Sequence, residues 1–147
     1  MQIKTKTMGL VEISEEQLIK IPAGIFGFED YTEYALIDCR IKPFIWLQSL
    51  DESALAFLMI DPFIINPDFE VDIDDKELGK IGIKDPSDVL VMTIVTVPND
   101  GSPVTANLRG PVIINKKTHE GMQAILNDPK WTTKFDIVSA LAGKEDK

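Results

Sequence analysis

One stretch, residues 43–67, constrains the fold of this chain more than any other part. It reads PFIWLQSLDESALAFLMIDPFIINP, with apolar runs at residues 44–50 and 54–60 on either side of the polar break 51–53. Prolines stand at both outer ends, where a strand can start or stop but a central ladder cannot continue. The pattern predicts a buried β-hairpin with a connection of three to five residues.

A helix is the alternative interpretation of the second run, because Ser53 suits an N-cap and residues 54–59 have good helix propensity. Asp61 precedes a proline and is disfavoured in helical conformation, so only about two turns would remain, too few for a stable apolar helix. Both strands of the hairpin are nearly all apolar, which predicts that both faces are covered and that Trp46 is buried.

Short apolar or alternating segments, separated by nine prolines, fill most of the remaining chain. They predict strands at residues 3–7, 34–38, 68–74, 89–97, 104–108, 112–115 and 122–126. Capping residues predict a helical turn at residues 15–20 and a short helix at 75–79, and residues 135–147 should form a helix or a flexible tail. The expected fold is mainly β: one domain over residues 1–147, a β-barrel-like arrangement of antiparallel strands with one or two short helices.

The charge of the chain is concentrated in its middle third. Net charge is −9, and residues 51–100 alone carry 12 acidic and 3 basic side chains. Such a field disfavours direct binding to nucleic acid or to an anionic membrane, and it favours basic partners. One cysteine, no apolar run longer than residues 54–60 and no signal-peptide pattern at the N-terminus lead us to expect a cytoplasmic protein.

The residue types that catalysis or metal binding requires are scarce. Cys39 and His119 are the only residues of their kinds, too few for a zinc site, and no second catalytic group accompanies either. A calcium loop starting at Asp68 would need glycine sixth and glutamate twelfth, where the chain has Ile73 and Gly79. We therefore predict a binding protein that is not an enzyme and has no cofactor. The alternative is a β-barrel enzyme or carbohydrate-binding module that uses dispersed surface carboxylates.

Five segments in register resemble the FliW family of flagellar assembly factors. They are IPAGIFGFEDY, PFIWLQSLDESALAFLMIDPF, FEVDIDDKELGKIGI, VMTIVTVP and TANLRGPVIINKKT, and they span nearly the whole chain. The resemblance implies a single β-rich domain that acts as a cytoplasmic chaperone, binding flagellin before export. It also implies binding to the RNA-binding regulator CsrA, so that FliW freed by flagellin export captures CsrA and relieves repression of flagellin translation. The Arg109-Gly110 pair departs from the family pattern, in which we expect apolar or alanine-like residues at these two positions.

Partner contacts are expected where the chain must expose side chains. The hairpin turn is exposed by necessity, alternation in the acidic segment turns its carboxylates outward, and the apolar residues after the hairpin cannot all point inward. A strand end before a glycine–proline break is a further candidate. The predicted contact residues are Asp51, Phe63, Ile64, Asp68, Glu70, Asp72, Asn107 and Leu108.

Overall fold

The computed structural model describes residues 1–145, which form eleven short β-strands, three α-helices and two 3₁₀ turns. The last two residues of the predicted C-terminal tail, 146–147, lie outside this range. The strands are β1 (Gln2–Lys4), β2 (Leu10–Glu12), β3 (Leu18–Lys20), β4 (Glu33–Asp38), β5 (Ile45–Ser49), β6 (Ala56–Ile60), β7 (Val89–Thr96), β8 (Thr105–Ala106), β9 (Val112–Asn115), β10 (Gly121–Gln123) and β11 (Phe135–Asp136). The helices are α1 (Pro62–Ile65), α2 (Asp75–Gly79) and α3 (Ile137–Glu145), and the 3₁₀ turns are Glu15–Gln17 and Pro86–Asp88.

Nine of the strands form one curled antiparallel sheet in the order β10-β9-β7-β6-β5-β4-β3, in which β8 also pairs with β7 and β11 pairs with β8. The two ends of this path meet without a full ladder. The Lys20 N–H donates to the His119 carbonyl at 2.9 Å, and Lys20 forms a parallel bridge with Glu120. The predicted mainly β, barrel-like antiparallel fold is confirmed, although the sheet does not close into a barrel and there are three α-helices rather than one or two.

The predicted hairpin is present as β5 and β6, but its connection is longer than expected. Residues 50–55 lie outside the two strands. The buried Gln48 side-chain amide donates to the carbonyls of Ser49, Ser53 and Leu55 at 3.0–3.1 Å. Because this one amide binds three carbonyls around the turn, a wider loop is held in place where a tight turn was predicted.

The curled sheet encloses one of the apolar clusters that make up the core. Its interior cluster consists of Ile19, Ile21, Ile25, Tyr34, Leu47, Met59, Met92, Val112 and Ile114. Side chains alternate along β5, so Leu47 faces this interior while Trp46 packs on the outer face with Ala35 and Ile37. The small β1–β2 sheet contributes side chains to that outer cluster but covers it incompletely. Trp46 is therefore half-buried, and the prediction that it is buried is wrong in degree.

The acidic segment 68–74 is not a strand, contrary to the sequence pattern. The chain leaves the sheet after β6, forms the single turn of α1, and then passes over side chains of β7 and β9 instead of joining a sheet edge. No strand is therefore aligned to form a ladder with it. The predicted alternation nevertheless holds: Phe69 is buried and Val71 and Ile73 are half-buried, while the acidic residues between them are exposed.

The two short helical segments predicted from capping residues begin where the sequence indicates, at Glu15 and at Asp75, whereas α1 was not predicted. Asp74 caps α2 by accepting a hydrogen bond from the Lys76 N–H at 2.9 Å, although Glu77 pairs with Lys80 instead of reaching back to the cap. The capping box at Ser14 is present, but only a 3₁₀ turn follows it before β3 begins. In residues 1–145, no helix is long and apolar enough to cross a membrane.

Candidate partner-binding surface

A row of three aromatic rings leads from the core to the surface beside the acidic segment. Phe69 is buried, and its ring centroid lies 4.8 Å from that of the buried Trp131 and 5.7 Å from that of Phe63. Phe63 is 42% exposed. The Asp61 carboxylate fixes the start of α1 by accepting the Phe63 N–H at 2.8 Å. The outermost ring is thus held by both a helix cap and an aromatic neighbour, while one side of it remains open to solvent.

An open apolar groove of about 660 Å³ lies on one side of the acidic segment. The half-buried side chains of Val71 and Ile73 form part of its wall, and strands β7 and β9 supply other parts. Its apolar lining includes Phe63, Val71, Ile73, Leu78, Val89 and Val91. Exposed apolar surface of this kind, rimmed by charged side chains, is typical of a protein–protein contact.

The opposite side of the same segment is acidic. Glu70 and Asp72 line a small pocket of about 110 Å³ together with Asp128 and the edge of Trp131. Residues 68–88 carry eight acidic and three basic side chains. In the described part of the chain, neither Glu70 nor Asp72 forms an ion pair. These carboxylates therefore present uncompensated negative charge to solvent, next to the apolar groove.

The structure brings together five of the predicted contact residues and separates the others from them. Phe63 and the half-buried Ile64 belong to α1, and Asp68, Glu70 and Asp72 follow it on the segment that packs beside the groove. Asp51 is exposed in the hairpin loop but lines neither the groove nor the acidic pocket.

Asn107 and Leu108 have structural roles in place of the predicted surface role. Leu108 is 1% exposed and packs in the cluster beneath α1, so its side chain cannot reach a partner in this fold. Asn107 is half-buried, and its side-chain oxygen accepts the N–H groups of Arg109 and Gly110 at 3.1 and 2.9 Å. An Asn two residues before such a turn is a usual turn-forming signal, which would have identified this role from the sequence.

Four residues of this surface were not predicted: Leu78, Val89 and Val91 of the groove, and Trp131 of the aromatic row. Their sequence signal is weak, since an isolated apolar residue in a polar stretch, or an apolar residue in a strand, fits the core equally well. Only the path of residues 68–74 over β7 and β9 makes Leu78, Val89 and Val91 part of a groove. Trp131 lines the acidic pocket on the other side of the segment.

The single cysteine and the single histidine, Cys39 and His119, lie away from this surface. His119 lies in the turn between β9 and β10 with a φ of 62°, and Cys39 follows β4. Neither lines the groove or the acidic pocket. Among the side chains of residues 1–141, no three His, Cys, Asp or Glu are grouped to hold a metal ion. The chemistry of the surface is thus apolar contact and negative charge.

Comparison with known proteins identifies the fold as a whole. The sequence model of the family described as "FliW protein" matches residues 2–137. The chain belongs to the FliW family. That span includes the aromatic row, both sides of the acidic segment and every strand of the curled sheet. The resemblance found in the sequence motifs is therefore confirmed.

Individual relatives match the FliW-family chain over almost its full length. A protein of Treponema denticola named flagellar assembly factor FliW is 55% identical over 141 residues, covering 96% of each chain. One of the same name from Treponema pallidum is 49% identical over 142 residues, covering 97% of this chain and 95% of its own. A crystal structure of the flagellar assembly factor FliW superposes with a TM-score of 0.84 at 36% identity, covering 93% of this chain and 96% of the other.

Proposed function

We propose that this chain is a cytoplasmic flagellar assembly factor that binds flagellin before export and also binds a CsrA-type RNA-binding regulator. The observation that carries the proposal is the family match over residues 2–137, together with relatives named as flagellar assembly factors. In this scheme flagellin and the regulator exchange on the chain. When flagellin is exported, the freed chain captures the regulator and relieves repression of flagellin translation.

The apolar half of the surface suits the affinity that this exchange requires. A few well-packed aromatic or apolar side chains usually carry most of the binding energy at a protein interface. The exposed Phe63 ring beside the apolar groove is the strongest such candidate, because Phe69 holds it and a partner would bury its open side. The carboxylates next to it favour a basic partner and speed its association.

The acidic half of the surface suits an indirect effect on RNA. A basic regulator holds RNA largely through contacts to phosphates, and this affinity falls steeply as those charges are screened or opposed. Asp68, Glu70 and Asp72 are exposed and form no ion pair with the described residues, so a regulator docked beside them would hold its RNA in a repulsive field. The field extends over about 8 Å at physiological ionic strength. The chain would then need no contact with nucleic acid of its own.

A competition experiment with purified components tests the proposal. The chain, flagellin and the regulator from one organism are mixed in pairs, and complexes are measured by calorimetry. Regulator bound to labelled flagellin mRNA leader is then titrated with the chain, which should release the RNA, and added flagellin should restore RNA binding. Failure of the chain to bind either protein, or release of RNA that flagellin does not reverse, contradicts the exchange.

Two substitutions separate binding from catalysis. We expect His119→Ala and Cys39→Ser to leave the capture of both partners unchanged, because neither residue lines the groove or the acidic pocket. Calorimetry of each variant with flagellin and with the regulator gives the comparison. A folded variant that loses either activity would show that one of these residues has a functional role.

A further inference from the structure

Residues 70–73 have the side-chain pattern of a β-strand but lack a partner strand. Glu70 and Asp72 are exposed, and Val71 and Ile73 between them are half-buried. No main-chain hydrogen bond joins any of these four residues to another part of residues 1–145. The hydrogen bonds on either side end at the Phe69 N–H and resume at the Asp74 carbonyl. Within residues 1–145 the main-chain donors and acceptors of the segment are thus unpaired, and two of its four residues are exposed.

Exposed, unpaired main-chain groups on a strand-like segment are what an added strand from another protein uses. A strand over four residues spans about 13 Å. In an antiparallel pair, two of the four residues face a given edge, and each exchanges two hydrogen bonds with the residue opposite. A docked helix would gain nothing from these groups, since it satisfies its main chain internally. The unpaired main chain therefore favours an extended ligand over a helical one.

The two faces of the segment specify the side chains of that ligand. Residues directly opposite each other in a strand pair place their side chains on the same face. Apolar side chains of an added strand would lie beside Val71 and Ile73, at the groove of about 660 Å³. The alternate side chains would lie beside the carboxylates of Glu70 and Asp72 at the acidic pocket, where basic groups are favoured. Asp128 of that pocket is already paired with Lys130 at 3.8 Å.

We propose that residues 70–73 accept an added β-strand from the RNA-binding regulator, with apolar side chains on one face of that strand and basic side chains on the other. The inference rests on the proposed function, because it assumes that the regulator binds this chain. The regulator is the favoured source because a protein that binds RNA phosphates carries exposed basic side chains, and these complement the unpaired carboxylates of Glu70 and Asp72. The added strand would extend the fold beside the groove.

Amide exchange measured by NMR tests the proposal on the unmodified chain. In the free protein the amides of residues 70–73 should exchange rapidly. With nine-tenths of the chain bound to the full-length regulator, exchange through the free tenth limits the slowing to about tenfold. We expect this slowing at alternate amides, either 70 and 72 or 71 and 73, because only every second N–H faces the added strand.

A pair of variants tests the main-chain contribution separately from the charge. If exchange slows at amides 70 and 72, the variants are made at Asp72. Asp72→Pro removes both the carboxylate and the N–H, whereas the matched Asp72→Ala removes only the carboxylate. The proline variant should bind the regulator about tenfold more weakly than the alanine variant. If amides 71 and 73 slow, Val71→Pro and Val71→Ala take their place. Should the proline variant fail to fold, the exchange pattern of the unmodified chain decides alone.

The outcomes separate this inference from the proposed function. A complex with the regulator that leaves exchange at residues 70–73 unchanged overturns the inference and leaves the proposed function standing. Equal slowing of all four amides indicates covering without a ladder and also overturns it. If flagellin, and not the regulator, slows exchange at alternate amides of residues 70–73, the choice of the regulator as partner is overturned. If no complex forms with either protein, both the inference and the proposed function fall.

Discussion

The hydroxyl group of Tyr34 gives the sharpest test of the interior of this fold. Tyr34 is fully buried among the apolar side chains inside the curled sheet, and its hydroxyl has no hydrogen-bond partner in the described residues. An unpaired buried polar group costs about 1–3 kcal/mol of stability. Tyr34→Phe removes that group and keeps the ring. We therefore expect the substitution to raise the free energy of unfolding by about 1 kcal/mol at pH 8.

The same hydroxyl also predicts how the gain changes with pH. Burial, followed by the nearby charges of Asp51 and Tyr31, raises the pKa of Tyr34 from its ordinary value of 10.0 to about 12. The unfolded chain then loses this proton at a lower pH than the folded chain does. The folded chain loses no stability from this difference well below pH 10. It loses stability as the pH rises from 10 to 12, by about 1 kcal/mol at pH 11. The advantage of Tyr34→Phe over the unsubstituted chain should widen accordingly.

Urea unfolding followed by tryptophan fluorescence measures both effects. A gain of about 1 kcal/mol shifts the unfolding midpoint upward by about 0.5 M with an unchanged slope. Tyr31→Phe is the matched control, since Tyr31 is only half-buried and the change should stay within about 0.5 kcal/mol. A Tyr34→Phe variant less stable than the unsubstituted chain, or an advantage that does not grow from pH 8 to 11, would refute the reasoning.

Three further predictions concern the outer surface. Trp46→Ala should lower the free energy of unfolding by about 2–3 kcal/mol in urea, less than a fully buried tryptophan would, because Trp46 is half-buried. Phe63→Ala should weaken binding of flagellin or of the regulator more than tenfold in calorimetry. It should lower the free energy of unfolding by only about 1 kcal/mol, since the ring also packs on Phe69. Unchanged affinity for both proteins would place the contact elsewhere. Asp68→Lys with Asp72→Lys should keep the fold, since both side chains are exposed, and should weaken inhibition of RNA binding more than the protein complex. A titration of RNA and regulator with either the unsubstituted chain or the variant, at two salt concentrations, checks this. Equal inhibition of RNA binding by the unsubstituted chain and the variant at both salt concentrations argues against electrostatic repulsion.

Much of the fold was predictable because its signals are local. The two apolar runs at residues 44–50 and 54–60 are too apolar and too short for anything but paired, covered strands, and they pair as β5 and β6. The Asp74 cap depends on residues within one turn of it, and α2 begins as predicted. The alternation over residues 68–74 correctly separated exposed carboxylates from buried apolar groups, since it depends only on an extended backbone.

Part of the candidate surface was also predictable. The position of Phe63 directly after the hairpin suggested an exposed apolar side chain, and Phe63 is exposed. The opposite error at Leu108 has a physical cause. A strand end before a glycine–proline break looks exposed in sequence, but the Leu108 N–H donates to the Thr132 carbonyl at 3.0 Å. That contact with a distant segment draws the side chain into the core, and no local pattern encodes it.

The β class, the hairpin, the concentration of negative charge and the alternation of the acidic segment all follow from local sequence patterns. Each of these depends on neighbouring residues, whose spacing sets periodicity, capping and charge density. Tertiary structure alone decided that Trp46 stays half-exposed, that residues 68–74 run without a ladder and that an apolar groove opens beside them. These properties depend on which distant element covers which face, and a strand's own pattern cannot specify whether a partner strand lies within hydrogen-bonding reach.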